Sequence, residues 1–269
     1  MINKIVHLAD IHYRTYQRHT EFRSIAEYFI DKMKLLKPDR IVITGDIVHS
    51  RNQLTPELVN EVQWFLDSCS DNCEKLIIIP GNHDIVEQNK ERLDALTPIL
   101  SALGKPNIFY YKESELYPDD NVVWTVYSIY NNNTPPVQLY KKPYKDKTYI
   151  GLFHGVIMGA KNDNGFSFNH GTEPNKFDEC DLTLCGDIHK RQVFFNKNNQ
   201  PIIMVGSLIQ QNYGESISEH GYCVITLDPK DKSKCTYQFE NIDNPVKYLT
   251  FKISDMSDIE NDSEVLVNG

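Results

Sequence analysis

Short apolar runs alternate with amphipathic stretches through the first hundred residues. The runs at 5–8, 41–43 and 76–79 are rich in β-branched side chains, and each breaks off into small or polar residues, as buried strands do. Between them, apolar residues recur at helical spacing: Phe22, Ile25, Ala26, Phe29, Ile30 and Met33, then Leu54, Leu58, Val62, Phe65 and Leu66. This order predicts a β-α-β-α-β start to an α/β fold.

The pattern changes after a third helical stretch, predicted at 88–103. Short apolar runs then predict strands at 122–129, 149–153, 182–185, 202–205 and 222–227. Two intervening segments, 131–147 and 159–179, are irregular, and long loops in a compact domain tend to be functional or mobile. We interpret the first, which carries three consecutive asparagines, as a surface excursion.

Composition narrows the class of protein. The chain has 269 residues, 40% of them hydrophobic and 24% charged, which excludes disorder and collagen-like structure and suits one large domain or two small ones. There are 28 basic and 37 acidic residues, a formal charge of -9. That balance argues against a protein held to nucleic acid by bulk charge alone.

The chain reads as a cytoplasmic protein of a reducing compartment, in the nucleoid or a host cell. Residues 1–10 lack the apolar core and cleavage site of a secretory signal, and no apolar stretch reaches membrane-spanning length, so we expect no membrane association. The six cysteines are scattered, and free thiols fit this compartment.

Five predicted strand ends carry compact polar motifs. Each follows an apolar run directly: Asp10-Ile11-His12, Gly45-Asp46, Gly81-Asn82-His83-Asp84, His154-Gly155 and Gly186-Asp187-Ile188-His189. Because the carboxyl ends of strands in α/β sheets converge on one crevice, we expect these side chains to meet there.

The side chains of these motifs favour divalent metals. Carboxylate, imidazole and amide ligands without a thiolate suit Mn²⁺, Fe²⁺, Zn²⁺ or Mg²⁺ in a catalytic site, and seven or eight ligands exceed what one ion needs. Two ions about 3.5–4 Å apart sharing a carboxylate would hold water in line with a phosphorus atom. Each motif alone has another explanation, as a turn, a structural histidine or a cap. Together they predict phosphoester hydrolysis.

In order and spacing these motifs resemble the calcineurin-like metallophosphoesterase superfamily over roughly residues 1–230. Within it, the chain looks like the SbcD-type nucleases of DNA repair and recombination, which work with an SMC-like ATPase. Three segments carry that closer likeness: Gly45-Asp46-Ile47-Val48-His49 with Ser50-Arg51-Asn52, His154-Gly155-Val156-Ile157-Met158-Gly159-Ala160, and residues 206–215 ahead of His220-Gly221-Tyr222. The resemblance implies a four-layer α/β-β/α sandwich with mixed sheets and its active site at the carboxyl ends of strands.

The resemblance also implies roles for individual residues. Two Mn²⁺ ions, with Mg²⁺ as the alternative, would be held by Asp10, His12, Asp46 and His189 and by Asp46, Asn82, His154 and Asp187, with Asp46 as the bridge. His83 would protonate the leaving oxygen, and Asp84 would orient or support it. His49 would lie near the substrate strand, or be a solvated loop histidine.

Asp187 departs from the superfamily pattern, which has a histidine at this position. Aspartate is a competent ligand whose added charge favours Mn²⁺ or Mg²⁺ over Zn²⁺, although weaker occupancy of the second ion is the opposing outcome.

DNA is the expected substrate. Basic residues follow several motifs, and they would contact phosphates or simply be solvated: Arg14, Arg51, Lys190 and Arg191, with Arg18 and Lys161 nearby. Tyr13, Tyr16, Phe166 and Phe168 would stack on bases or anchor loops.

Three functions stay open at this point. The first, implied by the resemblance, is a Mn²⁺-dependent nuclease, a 3'-5' exonuclease on duplex DNA and an endonuclease on single strands. The second is a phosphatase or phosphodiesterase for a small molecule or a phosphoprotein, since the same metal core serves both. The third is a scaffold that binds DNA and the ATPase, with weak catalysis.

The resemblance further implies a domain division and partners. Residues 1–243 would be the nuclease domain, and 244–269 the start of a truncated or reduced capping domain, with its first strand at 246–253. The amphipathic stretches 54–66 and 88–103 correspond to the homodimer helices of related nucleases, although helices packed on their own sheet show the same periodicity.

Overall fold

The computed structural model describes residues 1–228, 230–231 and 234–249. The regular elements in that part of the chain are β1 (Lys4–Leu8), α1 (His19–Leu36), β2 (Arg40–Thr44), α2 (Pro56–Asp71), β3 (Lys75–Ile79), α3 (Leu96–Leu103), β4 (Ile108–Tyr110), β5 (Leu116–Asp119), β6 (Val122–Tyr127), β7 (Thr148–His154), β8 (Leu182–Gly186), β9 (Gln192–Phe195), β10 (Pro201–Met204), β11 (Gly221–Leu227) and β12 (Cys235–Asn241). Short 3-10 helices lie at Ile129–Asn131, Val137–Lys141 and Pro174–Phe177.

The strands form two mixed six-stranded sheets. The first has the order β12-β11-β1-β2-β3-β4, in which β1 to β4 run parallel and β11 and β12 are antiparallel additions. The second has the order β5-β6-β7-β8-β10-β9, parallel from β6 to β10 and antiparallel at both edges. The parallel strands of each sheet therefore end at a common edge, where the predicted motifs lie.

Alternation along the strands explains the layers. In β1, Val6 and Leu8 pack against the three α-helices, whereas Ile5 faces the second sheet. The outer face of the second sheet is covered by the 3-10 helices, with Leu139 and Phe177 in that cluster. The four-layer α/β-β/α prediction is thus confirmed in its layers, although α-helices cover one side of the described sandwich and loops with 3-10 helices the other.

The predicted third helix was too long. Residues 88–95 form turns, and α3 begins only at Leu96, because the Asp94 carboxylate accepts hydrogen bonds from the backbone N–H of Leu96 (3.0 Å) and Thr97 (2.7 Å) and so starts the helix there. Likewise the strand predicted at 122–129 ends at Tyr127, because the Ser128 hydroxyl caps the following 3-10 helix.

Other expectations have mixed outcomes. Residues 246–249 have no regular secondary structure, so the predicted cap strand 246–253 is absent there, and 250–253 lie outside the described residues. The division at residue 243 and the homodimer stay predictions.

The apolar face of α2, including Leu58, Val62 and Phe65, is buried against its own sheet. Within the described part of the chain, none of the helices combines the length and the apolar composition that a membrane span needs.

The two sheets are tied at the edge opposite the motifs by a buried ion pair. Arg40, at the start of β2, donates to both oxygens of Asp119, at the end of β5 (2.8 and 3.0 Å). Lys75 and the Trp124 indole also donate to Asp119. Burial alone would raise the pKa of Asp119, but these hydrogen bonds lower it to about 2.

We expect Asp119→Asn to lower the free energy of unfolding by about 3 kcal/mol at pH 7, because it leaves Arg40 buried without its main counter-charge. Urea denaturation measures this. The control is Asp31→Asn, which breaks the exposed pair with Lys34 and should cost no more than about 0.5 kcal/mol.

The direction of the Asp119 pKa shift determines how its contribution to stability changes with pH. Since the folded pKa lies below the ordinary value of 3.8, the stabilisation by Asp119 is complete above about pH 4 and is lost as the pH falls through 2. The stability gap between wild type and variant should therefore narrow below pH 4. A gap that stays constant would show that the carboxylate charge is not its source.

Candidate metal centre

The five predicted motifs converge where the parallel strands of both sheets end. They lie at the last residue of β7 and β8 or within two residues after the end of β1, β2 and β3. Four of the predicted ligands have left-handed backbone conformations that non-glycine residues rarely adopt: Asp10 (φ 51°), His12 (φ 54°), Asp46 (φ 54°) and Asp187 (φ 98°). Such strain clusters at functional sites. Here it arises because the backbone turns sharply at the end of each strand while the ligand side chain stays directed into the centre.

One half of the site is built around His12. Its Nε2 lies 3.0 Å from Nε2 of His189, 3.6 Å from Oδ2 of Asp46 and 4.0 Å from Oδ1 of Asp10. Ligand atoms of Asp10, His12 and His189 all lie within 4.8 Å of one another. The four side chains predicted for one ion are therefore together, and this group is called the first half-site below.

The other half is built around His154 and is called the second half-site. Its Nε2 lies 2.9 Å from Oδ1 of Asn82, 3.5 Å from Oδ1 of Asp46 and 3.7 Å from Oδ1 of Asp187. Asp46 thus directs Oδ2 to the first half-site and Oδ1 to the second, the arrangement that a bridging carboxylate requires. The aspartate at position 187 reaches the centre despite replacing the usual histidine.

The charge of this centre fits divalent cations. Asp10 and Asp46 are almost fully buried, yet among the described residues no Lys or Arg forms an ion pair with either of them or with Asp187. Burial raises the pKa of Asp10 to about 7, although His189 and His154 oppose it. Burial also acts to raise the pKa of Asp46, but the proximity of His154 and His12 lowers it. Bound cations would compensate these buried carboxylates.

Two of the three predicted ligand histidines, His154 and His189, are oriented as metal ligands usually are. Nδ1 of His154 donates to the carbonyl oxygen of Thr44 (2.8 Å), and Nδ1 of His189 pairs with Oε1 of Glu215 (2.7 Å). In both rings Nε2 is left facing the centre. An outer partner that fixes the ring in this way is a common feature of metal-binding histidines.

Asp84 has a different contact pattern from the expected support of the His83 ring. Its carboxylate accepts hydrogen bonds from the backbone N–H groups of Asp46, Ile47, Val48 and Gly81, at 2.9–3.1 Å. No hydrogen bond joins it to the His83 ring among the described residues. Asp84 instead fixes the loop that carries Asp46, the predicted bridge. Burial and the nearby Asp46 raise the pKa of Asp84 to about 7.

His83 borders the first half-site. Its ring centroid lies 4.7 Å from that of His12, and its Nδ1 donates to the carbonyl oxygen of His49 (2.7 Å). Nε2 of His49 lies 3.1 Å from Nη1 of Arg14 and accepts its hydrogen bond. Burial and the positive charge of Arg14 lower the pKa of His49 to about 4, so His49 is neutral at pH 7.

The predicted DNA-binding residues mostly make contacts within the protein. Arg14 holds His49, and Arg51 donates to the backbone oxygen of the predicted ligand Asn82 (3.1 Å). Arg191 packs on Phe239 and donates to Asn241. Lys190 lies 3.8 Å from Asp163. The first two therefore support site residues directly. Tyr13, considered as a stacking surface, is buried in the core.

Sequence reasoning missed several residues around the centre. Glu215 ends the segment 206–215 that carries the family likeness, but the sequence predicted no role for it. Asn132 and Asn133, in the segment interpreted as a surface excursion, line a crevice of about 380 Å³ together with Lys90 and the second half-site. The Lys90 ammonium donates to the backbone oxygens of Ile129 and Tyr130 and to Asn132 Oδ1, each at 2.8 Å, and so fixes this wall. The run of asparagines was the one available signal.

Comparisons with known proteins agree with this geometry. The model of the calcineurin-like phosphoesterase family matches residues 3–207. The chain is 34% identical over 270 residues to an uncharacterized protein of Acanthamoeba polyphaga mimivirus, covering 96% of this chain and 19% of the relative. It is 24% identical over 258 residues to the SbcD component of nuclease SbcCD from Staphylococcus saprophyticus, covering 83% of this chain and 65% of the relative. It therefore spans about a fifth of the first relative and just under two thirds of the second.

Among solved structures, a dimetal phosphatase from Danio rerio shares the fold. The TM-score is 0.54 at 13% identity, over 85% of this chain and 93% of that chain.

Gly81 provides a test of the bridging position. A Cβ at residue 81 would overlap Oδ1 and the backbone nitrogen of Asp46. We expect Gly81→Ala to weaken Mn²⁺ binding at least about tenfold, because it displaces the carboxylate shared by both half-sites. Isothermal titration calorimetry measures the affinity, and thermal unfolding monitors the fold.

The matched control is Gly104→Ala at the end of α3. Gly104 has φ 59° and no atom within 4 Å of an added Cβ, so the substitution strains the backbone away from the site. It should cost about 1 kcal/mol of stability and leave Mn²⁺ affinity unchanged. Equal affinities in both variants would contradict the proposed position of Asp46.

Proposed function

This chain belongs to the calcineurin-like phosphoesterase family, and on that premise we propose that it is a two-metal DNA nuclease. It would act with Mn²⁺ as a 3'-5' exonuclease on duplex DNA and as an endonuclease on single strands, in repair or recombination with an SMC-like ATPase. The observation that carries the phosphoesterase chemistry is the Asp46 carboxylate, divided between two ligand clusters. The likeness to the SbcD component of nuclease SbcCD favours DNA as the substrate.

Each half-site would hold one ion, with Asp46 shared between them. When bound, two such ions would supply Lewis acidity toward the phosphoryl oxygens and an activated water for attack on phosphorus. Asp84 keeps Asp46 in place through the backbone amides that it binds. Arg51 holds Asn82 through its carbonyl oxygen. These outer contacts would hold the ligand side chains in place for the two ions.

His83 would transfer the proton to the leaving oxygen. Its Nδ1 is bound to the His49 carbonyl oxygen, which leaves Nε2 as the ring atom available to the leaving group. His49, kept neutral by burial and by the charge of Arg14, stacks on His83 with ring centroids 5.4 Å apart and would limit the tilt of that ring. This assignment gives His49 a positioning role in addition to the proposed place beside the substrate strand.

The crevice beside the second half-site supports a diester substrate. A phosphodiester carries groups on both sides of the reacting phosphate, and the crevice offers room for one of them next to His154 and Asp187. Its wall is polar and is fixed by Lys90, which fits a sugar or base edge. Lys190, next to the first half-site ligand His189, and Arg191 would contact phosphates beyond the centre.

Metal preference follows from the ligand set. Asp187 adds an oxygen ligand where the related motif has an imidazole, so the second half-site presents three oxygen donors and one nitrogen. Hard oxygen ligands favour Mn²⁺ or Mg²⁺ over Zn²⁺.

Two alternative functions would use the same centre. A phosphatase or phosphodiesterase for a small molecule or a phosphoprotein would need the same two half-sites. A scaffold that binds DNA and the ATPase with weak catalysis would follow if the second ion bound poorly at Asp187. The homodimer, the cytoplasmic location and the cap at 244–269 remain part of the same proposal.

We expect two Mn²⁺ ions per chain at saturation. Asp46→Asn should weaken both, because it removes charge from the shared bridge, whereas His154→Ala should remove one ion and leave the other. Calorimetric stoichiometry measures this, and His170→Ala, in a loop outside both half-sites, is the control. One ion per wild-type chain at saturation would count against the two-metal site.

Cleavage of end-labelled oligonucleotides with Mn²⁺ tests the substrate. We expect His83→Ala to lower kcat about 10²–10⁴-fold while Mn²⁺ stoichiometry stays at two, because the residue acts on the proton and not on the metal. Degradation that survives in the variant would indicate contamination. Hydrolysis of small phosphoesters alone would favour the phosphatase, and DNA binding without cleavage would favour the scaffold.

A further inference from the structure

The loop between β10 and β11 carries a carboxylate aimed at the first half-site. Glu215 is largely buried, with its side chain 8% exposed. Its Oε1 lies 2.7 Å from Nδ1 of His189 and accepts a second hydrogen bond from the Asn212 side chain (2.8 Å). Its Oε2 accepts from the backbone N–H of Gln211 (2.7 Å). Contacts within the loop therefore hold both carboxylate oxygens, and Oε1 in turn orients the His189 ring.

This contact decides which nitrogen of His189 faces the centre. With the hydrogen on Nδ1 donated to Glu215, Nε2 presents its lone pair toward His12, 3.0 Å away. Without Glu215 the ring would be free to rotate or to change tautomer, because no other hydrogen-bond partner of Nδ1 is present among the described residues. The nearby carboxylate also raises the basicity of the ring.

The same loop is clasped to the chain that follows β12. The buried Gln210 amide accepts from the backbone N–H of Tyr248 (2.8 Å) and donates to its backbone oxygen (2.9 Å). It also donates to the backbone oxygen of Glu215 (3.1 Å). Arg18 donates to the backbone oxygen of Gln210 (2.8 Å), and its guanidinium lies 4.8 Å from the Tyr248 ring centroid. Arg18, Gln210 and Tyr248 are called the clasp below.

We propose that Glu215 is the positioning residue for His189, and that the clasp makes its position depend on where the chain after β12 is docked. The chain after β12 thereby acts on the first half-site without touching it. Displacing Tyr248 from Gln210 loosens the loop, and Glu215 then no longer orients His189. The inference rests on the proposed function only in taking His189 as a metal ligand.

Metal affinity tests the first part. We expect Glu215→Ala to weaken one of the two Mn²⁺ ions about 10–100-fold and the other less than about threefold. Glu215→Gln, which keeps an acceptor oxygen but loses the charge, should recover part of that affinity. Glu219→Gln removes a carboxylate charge from the same loop and should have no effect. The absorption spectrum of the Co²⁺-substituted protein should change with Glu215→Ala, because it reports the loss of an imidazole ligand.

A proline pair tests the clasp. Tyr248→Pro removes the backbone donor to Gln210, whereas Val246→Pro, at a 45% exposed position two residues earlier, leaves that donor in place. We expect Tyr248→Pro to lower the affinity for the same Mn²⁺ ion about 3–10-fold and Val246→Pro to leave that affinity unchanged. Since the clasp acts through Glu215, Tyr248→Pro should add nothing in a Glu215→Ala background.

These outcomes are separate from those of the nuclease assay. Unchanged Mn²⁺ affinities in Glu215→Ala would overturn the positioning role, and full additivity of the two substitutions would overturn the clasp, whatever the substrate is. If the protein binds Mn²⁺ as expected but cleaves no DNA, the proposed nuclease function fails and the positioning role of Glu215 stands.

Discussion

The Asp46 carboxylate is the interaction on which the rest of the centre depends. One oxygen faces His12 and the other faces His154, so both half-sites exist only while this side chain stays between them. The loop that carries Asp46 is held by Asp84, whose carboxylate accepts hydrogen bonds from three backbone amides of that loop and from the amide of Gly81. The strand-end backbone conformations and the absence of a Cβ at Gly81 follow from the same requirement. The site is therefore held by backbone contacts as much as by its ligands.

The two ends of the sandwich play opposite energetic roles. At the carboxyl ends, carboxylates are buried with histidines beside them but with no Lys or Arg partner among the described residues, an arrangement that is costly without bound cations. At the other edge, Arg40 and Asp119 join the sheets through a paired and hydrogen-bonded contact. Between these ends lies an apolar layer with Ile5, Val42 and Ile77 on one side. The packed apolar core and the Arg40–Asp119 pair stabilise the fold. This stability allows the carboxyl ends of the strands to carry strained residues and concentrated negative charge.

Much of the fold and of the ligand set was predictable, because each central strand is an apolar run that stops at a polar motif. The edge strands β4, β5, β9 and β12 were not predicted, since partly exposed short strands carry little hydrophobic signal. The start of α3 depends on the hydrogen bonds that the Asp94 side chain accepts from Leu96 and Thr97, and the helical periodicity of the sequence extended past this point. The contacts of Asp84 and Glu215 join loops that are far apart in the sequence, and a local sequence pattern does not predict which loops come together. The calcineurin-like fold likewise predicts the metal centre better than the substrate, because two of the basic residues near the motifs, Arg14 and Arg51, make contacts that support the site.

The most direct test of the two-metal centre is anomalous diffraction from crystals of the protein soaked in Mn²⁺. We expect two peaks about 3.5–4 Å apart, one beside each oxygen of Asp46, with His12 and His189 at the first and His154 and Asp187 at the second. A single peak at saturating Mn²⁺, or two peaks that do not share Asp46, would contradict the account.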